Sequence, residues 1–176
     1  MKKLILAVSL SCLLTPGFAA NQLLKNGQPV AQENVKNGEQ ISAMTIVISN
    51  YRQFKQEWDY TSFEHKPKAT LAEKAKVGDT VHLVTFFSNC LPDEEAKCNM
   101  SFKVKVFRDD NLILESPKTD YKISYPGENS MQLSNLVLGS NFEANETGKY
   151  RYEVTVTDEN ADDTVVINTR LLVINK

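Results

Sequence analysis

Three cysteines carry the most versatile chemistry in this 176-residue chain: Cys12, Cys90 and Cys98. Cys90 and Cys98 have seven residues between them, which differs from the C-x-x-C spacing of redox pairs and of many zinc ligands. No histidine lies in that loop. Cys12 lies in an N-terminal export signal that we predict below to be removed, so Cys90 and Cys98 are the two thiols that remain. Because an even number of thiols in an exported protein indicates pairing, we predict a structural disulfide between them. On the loop-entropy model it would stabilise the fold by about 2–3 kcal/mol.

The other side chains give little support for catalysis. Downstream of residue 19 the chain has two histidines, His65 and His82, and His82 lies in an alternating β-pattern that favours a packed side chain. No serine lies in a nucleophile elbow, and the disulfide would use both remaining thiols. No motif positions a pair of carboxylates. We therefore expect a protein that is not an enzyme and holds no cofactor.

The run DENADD, residues 158–163, places four carboxylates and one asparagine within six residues. Such oxygens suit calcium, although the spacing of an EF-hand is absent. The same residue types are frequent turn formers, so a solvated turn between two strands is the favoured interpretation. The alternative is a calcium site with Asp158, Asn160, Asp162 and Asp163 as ligands.

Aromatic residues interleaved with charged ones make residues 51–63 the first candidate for a partner-binding surface, because protein interfaces use such anchors. The simpler alternative is that these rings pack on the body of the fold. Part of the segment has helical spacing, but alternation from Trp58 onward favours a strand, which we predict. The candidate side chains are Tyr51, Phe54, Trp58, Tyr60 and Phe63.

A second candidate surface is the loop between the paired cysteines, which carries Asp93, Glu94 and Glu95. Loops held on a rigid scaffold often carry recognition. The alternative is a covalent tie that only protects an exposed loop against proteolysis.

The N-terminus has the pattern of an export signal. Two lysines precede an apolar run over residues 4–14, and small residues follow at the positions that signal peptidase reads. We predict that residues 1–19 are a signal peptide, cleaved after Ala19 or one residue later. The run is too short to cross a bilayer comfortably, and Ser9 stands where a lipoprotein signal at Cys12 would need an aliphatic residue.

Removal of residues 1–19 leaves 157 residues and changes the formal charge from −2 to −4, since Lys2 and Lys3 leave without any acidic residue. A mildly acidic chain lacks the basic character of nucleic-acid binders. No other stretch is apolar and long enough to insert into a membrane. We expect a periplasmic or secreted protein of one domain, with residues 20–40 as a polar N-terminal extension.

Short alternating segments separated by turn signals fill residues 77–174, a pattern typical of an all-β sandwich. Residues 41–49 add an earlier strand rich in β-branched side chains. Residues 51–76 would be an aromatic and then basic insertion or linker, with one or two helical turns over residues 70–76. The Asp109-Asp110-Asn111 run predicts a tight hairpin.

Two motifs resemble those of immunoglobulin-like domains. GDTVHLVT, residues 78–85, is similar to their second strand, and ETGKYRY, residues 146–152, is similar to the corner before their late strand. The resemblance implies an immunoglobulin-like antiparallel β-sandwich, which we place over residues 41–176. It also implies that Tyr150 is the corner tyrosine, whose hydroxyl bonds to nearby backbone.

The chain departs from antibody-type domains at three points. Thr85 and Tyr152 occupy the positions of the two inter-sheet cysteines, and the third strand has no tryptophan, so Phe102 or Val104 would fill that space. The predicted disulfide instead ties a loop after the second strand. The pattern therefore resembles bacterial immunoglobulin-like domains.

These observations lead us to expect an exported, non-catalytic protein that binds a protein partner in the bacterial envelope or outside the cell. The aromatic segment, the loop between the cysteines or an exposed strand edge would provide the contact. One alternative is a secreted inhibitor or a periplasmic accessory chaperone. Another is a carbohydrate-binding or structural module that uses exposed aromatic rings.

Overall fold

The computed structural model describes residues 24–25, 28–29, 35–37, 41–59, 68–124 and 138–175. The chain divides into two compact units, residues 1–30 and residues 31–176. In the first unit, strand β1 (Leu24–Lys25) pairs antiparallel with β2 (Gln28–Pro29). The predicted signal peptide, residues 1–19, lies outside the described residues.

The described residues of the second unit form ten strands and one helix. In chain order these elements are β3 (Val35–Asn37), β4 (Ser42–Ile48), α1 (Tyr51–Asp59), β5 (Lys74–Lys76), β6 (Thr80–Ser88), β7 (Lys97–Arg108), β8 (Asn111–Glu115), β9 (Thr119–Ser124), β10 (Leu138–Glu143), β11 (Gly148–Asp158) and β12 (Asp163–Ile174).

The strands form two sheets. One has the order β10-β6-β4-β3; the other has the order β5-β12-β11-β7-β8, with β9 pairing the first half of β7. Neighbours are antiparallel, except that β5 runs parallel to β12. Strands β6 and β11, which carry the two motifs, lie in opposite sheets. The protein is an immunoglobulin-like β-sandwich, as the sequence predicts.

The main core lies between the two sheets, and strict alternation builds it. On β11, Tyr150, Tyr152, Val154 and Val156 are buried, while the residues between them are partly exposed. Strand β6 lies in the middle of its sheet and is buried on both faces over most of its length. Apolar residues on both faces of this strand therefore match its central position in the sheet.

Thr85 stands at one of the two positions that hold the inter-sheet disulfide of antibody-type domains, and it pairs with another threonine in its own sheet. Thr45 on β4 and Thr85 on β6 are directly opposite, and their hydroxyls are 3.0 Å apart. Both side chains are buried. Because one hydroxyl donates to the other, neither oxygen is buried without a hydrogen-bond partner.

Helix α1 corrects the predicted strand at Trp58, because the chain remains helical to Asp59. Phe54 is fully buried, its ring lying 5.5 Å from that of Trp58 and 6.1 Å from that of Phe86 on β6. These rings form an aromatic layer on the face of the four-stranded sheet that points away from the other sheet. The helical spacing of Tyr51, Phe54 and Trp58 was the better indicator, because it matches a single packed face.

The predicted helical turns over residues 70–76 are also wrong. Leu71 forms a bridge with Ile48, and Lys74–Lys76 is strand β5. Ala75 is buried between two exposed lysines. Pairing with β12 therefore decides the conformation of this segment against its helical propensity.

The corner before β11 has the predicted tyrosine geometry. The Tyr150 hydroxyl donates to the Glu146 carbonyl at 2.9 Å. Gly148 has φ +150°, and a Cβ there would come within 2.8 Å of the Asp109 carboxylate. That carboxylate accepts from the Lys149 backbone N–H at 2.9 Å, so glycine is needed where the two turns meet.

Candidate partner-binding surface

Strand β8 forms one edge of the six-stranded sheet, and a two-residue hairpin positions it. Asp109 and Asp110 have φ of 47° and 66°, and Arg108 pairs with Asn111 across the turn. Positive φ at both central residues is the arrangement of a type I′ turn, one of the two common two-residue hairpin turns. This confirms the hairpin predicted from the Asp-Asp-Asn run.

A bulge shifts the register within β8. Phe107 is opposite Leu112 and Val106 is opposite Leu114, which leaves Ile113 as the extra residue. Beyond the strand, Ser116 donates its N–H to Val104 O at 2.8 Å and accepts from Val104 N–H at 2.9 Å. These bonds lie where β8 ends, and β9 then pairs with the remaining part of β7.

The side chains of β8 are unusually apolar for an edge. All five residues are exposed, and Leu112, Ile113 and Leu114 are 50%, 43% and 47% exposed. No described strand pairs with the free side of β8. At the opposite edge, β5 is only three residues long and carries exposed Lys74 and Lys76, which is how sheets usually discourage further pairing.

A cavity of about 70 Å³ lies between the two sheets beside this edge. Leu114, Val106 and Tyr152 form one row across β8, β7 and β11 and contribute one wall. Strands β4, β6 and β10 contribute the facing wall. The lining residues are Val47, Val81, Leu83, Val104, Val106, Leu114, Ser116, Asn141, Phe142 and Tyr152.

Tyr152 stands at the second antibody-type cysteine position and is 2% exposed. Its ring meets that of Phe142 edge-on at 5.7 Å. Among the described residues, no hydrogen-bond partner reaches its hydroxyl. Burial raises the pKa of Tyr152 well above its ordinary value, so the hydroxyl remains protonated and can donate a hydrogen bond.

The disulfide between Cys90 and Cys98 is present, with 5.9 Å between the Cα atoms. We call residues 90–98 the stapled loop. Within it, Asp93 Oδ1 accepts from the N–H groups of Glu95 and Lys97, both at 2.9 Å. These backbone bonds, Lys97's first, together with Lys122 at 3.3 Å, hold the pKa of Asp93 below its ordinary value.

The remaining acidic residues of the stapled loop are more open. Glu94 and Glu95 are exposed. Glu95 lies 2.7 Å from the Lys97 ammonium and 3.5 Å from that of Lys122, and both lower its pKa. Lys97 and Lys122 therefore offset two of the three carboxylates of the loop, and Asp93 also serves as its internal hydrogen-bond acceptor. Its role in partner binding stays a prediction.

The stapled loop docks on the acidic turn, residues 158–163, which connects β11 to β12. Asp158 is fully buried, and its carboxylate accepts from Leu91 N–H at 2.6 Å and from Asn160 N–H at 3.1 Å. The Asn160 amide donates to the carbonyls of Leu91 at 2.8 Å and Lys97 at 3.1 Å. Two segments that looked independent in sequence are therefore one unit.

The proposed calcium ligands are engaged in these protein contacts. Asp158 and Asn160 link the turn to the stapled loop, and Asp163 accepts from Ile41 N–H at 2.9 Å. Asp162 is exposed with φ 52°. The described residues contain no group of three or more histidine, cysteine or acidic side chains suited to a metal. The calcium interpretation stays a prediction.

The aromatic candidates are divided between packed and undescribed positions. The Tyr51 ring stacks on His82 at 4.6 Å, and Phe54 is inaccessible to a partner while α1 lies on the sheet. Tyr51 and Trp58 are both partly exposed, so either ring could still contact a partner. Tyr60 and Phe63, like His65, lie outside the described residues.

His82 has the features of a packed side chain. Beneath the Tyr51 ring, its Nδ1 is buried and has no described hydrogen-bond partner.

No described helix has both the length and the apolar character needed to cross a membrane.

Comparisons with known proteins give fold-level similarity alone. No protein-family model and no curated protein matches this chain. The soluble domain of PmoD from Methylocystis sp. (Rockwell) is similar at 11% identity and a TM-score of 0.42, covering 80% of this chain and 96% of that one. The CARDB domain of a Pyrococcus furiosus protein, solved with di-metal ions, is similar at 13% sequence identity and a TM-score of 0.40. That match covers 84% of this chain and 100% of the CARDB chain. Superoxide reductase (neelaredoxin) from Ignicoccus hospitalis is similar at 9% sequence identity and a TM-score of 0.36. That match covers 58% of this chain and 75% of the reductase chain. Since these values are low, the fold assignment rests on the strand order described above.

Proposed function

We propose that this protein is an exported, non-catalytic immunoglobulin-like module that binds a protein partner by adding a strand of that partner to β8. The observation that carries the proposal is the exposed apolar edge formed by Leu112, Ile113 and Leu114. An unpaired edge offers a row of backbone donors and acceptors, and apolar side chains beside it add buried area on docking.

The contrast between the two edges of the six-stranded sheet supports this choice. Both edges could in principle pair with another chain. Strand β5 is short and carries two exposed lysines, whereas β8 has three consecutive exposed apolar residues. Exposed apolar patches on monomeric proteins mark interaction sites. The β8 edge is therefore the better candidate for a contact with another protein.

The proposed location is the periplasm or the cell exterior. The pattern of residues 1–19 supports export. The Cys90–Cys98 disulfide supports an oxidising compartment, because thiols in the cytoplasm are kept reduced.

The test is affinity capture with the chain that lacks residues 1–19, from envelope and culture-supernatant extracts. Ile113→Lys places a charge on the β8 edge, and Val166→Lys is the matched control, because both residues are 43% exposed and β12 lies on the opposite side of the sheet from β8. We expect Val166→Lys to retain a protein partner that Ile113→Lys loses by at least about tenfold. Equal capture by all three proteins, or recovery of polysaccharide without protein, would contradict the proposal.

A further inference from the structure

The outward face of the six-stranded sheet is basic, although the chain carries a formal charge of −2. In the half formed by β5, β12, β11, β8 and the part of β7 from Lys103 onward, the register places seven basic and two acidic residues on this face. Glu115 pairs with Lys103. The Glu153 carboxylate lies 3.5 Å from the Lys105 ammonium and 3.3 Å from the Arg151 guanidinium. Within the described part of the chain, the other four basic residues form no ion pair.

These four residues surround two aliphatic side chains on the β5 side of the sheet. Leu172 on β12 is directly opposite Lys74 on β5 and Lys149 on β11. Arg170 is the next residue along the same face of β12. Since neighbouring strands are about 4.8 Å apart, Lys74 and Lys149 stand about 10 Å apart on either side of Leu172. We call this group, with the next row of the face, the basic patch: Lys74, Lys76, Lys149, Arg170, Leu172 and Ile174.

Every residue of the basic patch is open to solvent. The four cations are exposed, and the two aliphatic residues are 37% and 41% exposed. At the border of the patch, Asp79 accepts from Lys76 N–H at 2.8 Å, and Asp109 accepts from Lys149 N–H at 2.9 Å. Neither carboxylate forms an ion pair with a described residue. The four cations can therefore meet an anionic surface without first breaking an ion pair.

We propose that the basic patch docks this protein on a bilayer that carries anionic headgroups. The four cations contact headgroup phosphates, and Leu172 and Ile174 enter the boundary between headgroups and acyl chains. Each lysine or arginine near such a surface adds to the attraction, and the aliphatic side chains add buried apolar area. The patch shares no residue with β8, so this proposal does not rest on strand addition.

The composition of the patch favours a lipid surface over other anionic ligands. A polyanionic sugar would use the cations but would leave Leu172 and Ile174 in water. Protein interfaces are depleted in lysine and enriched in aromatic residues, whereas three of the four cations are lysines and the apolar residues are aliphatic. A bilayer interface offers negative charge and an apolar layer at the same place.

The test is co-sedimentation of the chain lacking residues 1–19 with phosphatidylcholine vesicles, with and without about 30% phosphatidylglycerol. We expect binding that requires phosphatidylglycerol and weakens as the salt rises from about 50 mM to about 500 mM. The double variant Lys74→Gln/Arg170→Gln should bind about thirtyfold more weakly. Leu172→Thr should bind about three- to fivefold more weakly, because it removes apolar area from the contact.

Each change has a matched control elsewhere on the same sheet. Lys118→Gln/Lys122→Gln removes the same charge from residues that pair with Glu159 and Asp93, so vesicle binding should be unchanged. Val166→Thr replaces an exposed aliphatic residue of β12 outside the basic patch, and it should also leave binding unchanged.

Three results would overturn the proposal. One is equal binding to vesicles with and without phosphatidylglycerol. Another is an equal loss in the two double variants, which would show that net charge decides rather than the basic patch. The third is no binding to vesicles, together with binding to heparin or to an acidic protein that Lys74→Gln/Arg170→Gln abolishes. That result would assign the patch to a soluble polyanion or to a protein partner.

Discussion

Tyr150 and Tyr152 lie on the same face of β11, yet only the first has a described partner for its hydroxyl, the Glu146 carbonyl at 2.9 Å. We therefore expect opposite effects from one substitution at the two positions. Tyr150→Phe should lower the free energy of unfolding by about 1 kcal/mol, because it removes a made hydrogen bond. Tyr152→Phe should be neutral or raise it by up to about 1–2 kcal/mol, because it removes an unsatisfied group. Urea unfolding measures both values, and a larger loss for Tyr152→Phe would contradict the assignment.

The Cys90–Cys98 disulfide should stabilise the sandwich by constraining the unfolded chain. Reduction is expected to lower the free energy of unfolding by about 2–3 kcal/mol, as a loop of this length predicts. Denaturant midpoints with and without reductant measure the effect. The double variant Cys90→Ala/Cys98→Ala is the control and should be indifferent to reductant. A wild-type midpoint that reductant leaves unchanged would show that the tie does not constrain the unfolded state.

Asp158 should be the acidic residue of the turn on which stability most depends. Its buried carboxylate accepts backbone N–H groups from Leu91 and Asn160, and the amide of Asp158→Asn would put a donor against one of those donors. We expect a loss of about 2–3 kcal/mol in unfolding free energy. Asp162→Asn is the matched control, because Asp162 is exposed and asparagine tolerates its positive φ. Equal losses in the two variants would rule out the docking role of Asp158.

Acid should weaken the stapled loop through Asp93. Its pKa is lowered in the folded protein, so the folded state binds fewer protons than the unfolded state at mildly acidic pH. The stabilisation is therefore complete at neutral pH and is lost as pH falls below about 4 and through the lowered pKa. The stability difference between wild type and Asp93→Asn should be greatest at pH 7 and should shrink toward pH 3. A difference that is equal at both pH values would contradict this contribution.

Most of the sandwich follows from local pattern. The alternation of β11, the Asp109-Asp110 hairpin and the Tyr150 corner were all predictable, because each depends on a few neighbouring residues with strong preferences. The stapled disulfide followed from cysteine count and compartment. Two segments were predicted wrongly: Trp58 lies in a helix where a strand was predicted, and Lys74 lies in a strand where helical turns were predicted. There, packing on β6 and pairing with β12 decided between conformations that the local sequence leaves nearly equal.

The candidate site was less predictable, because it depends on contacts between distant segments. The residues NLILE of β8 were visible as a strand, but its position at an edge depends on which strands pair. The lack of alternation in three consecutive apolar residues is the one local signal of that edge. The docking of Asp158 on Leu91 joins residues 67 positions apart, and no spacing rule reveals it. The unsatisfied hydroxyl of Tyr152 likewise depends on what surrounds it.

The central claim is that a protein partner pairs with the free edge of β8, and amide hydrogen exchange in the complex tests it most directly. Strand addition gives the outward-facing N–H groups of β8 new acceptors, so exchange at residues 111–115 should slow on binding. Exchange at the stapled loop and at α1 should remain the same. Protection confined to residues 90–98 or 51–59, with β8 unchanged, would contradict edge pairing and would place the partner on one of the other two surfaces.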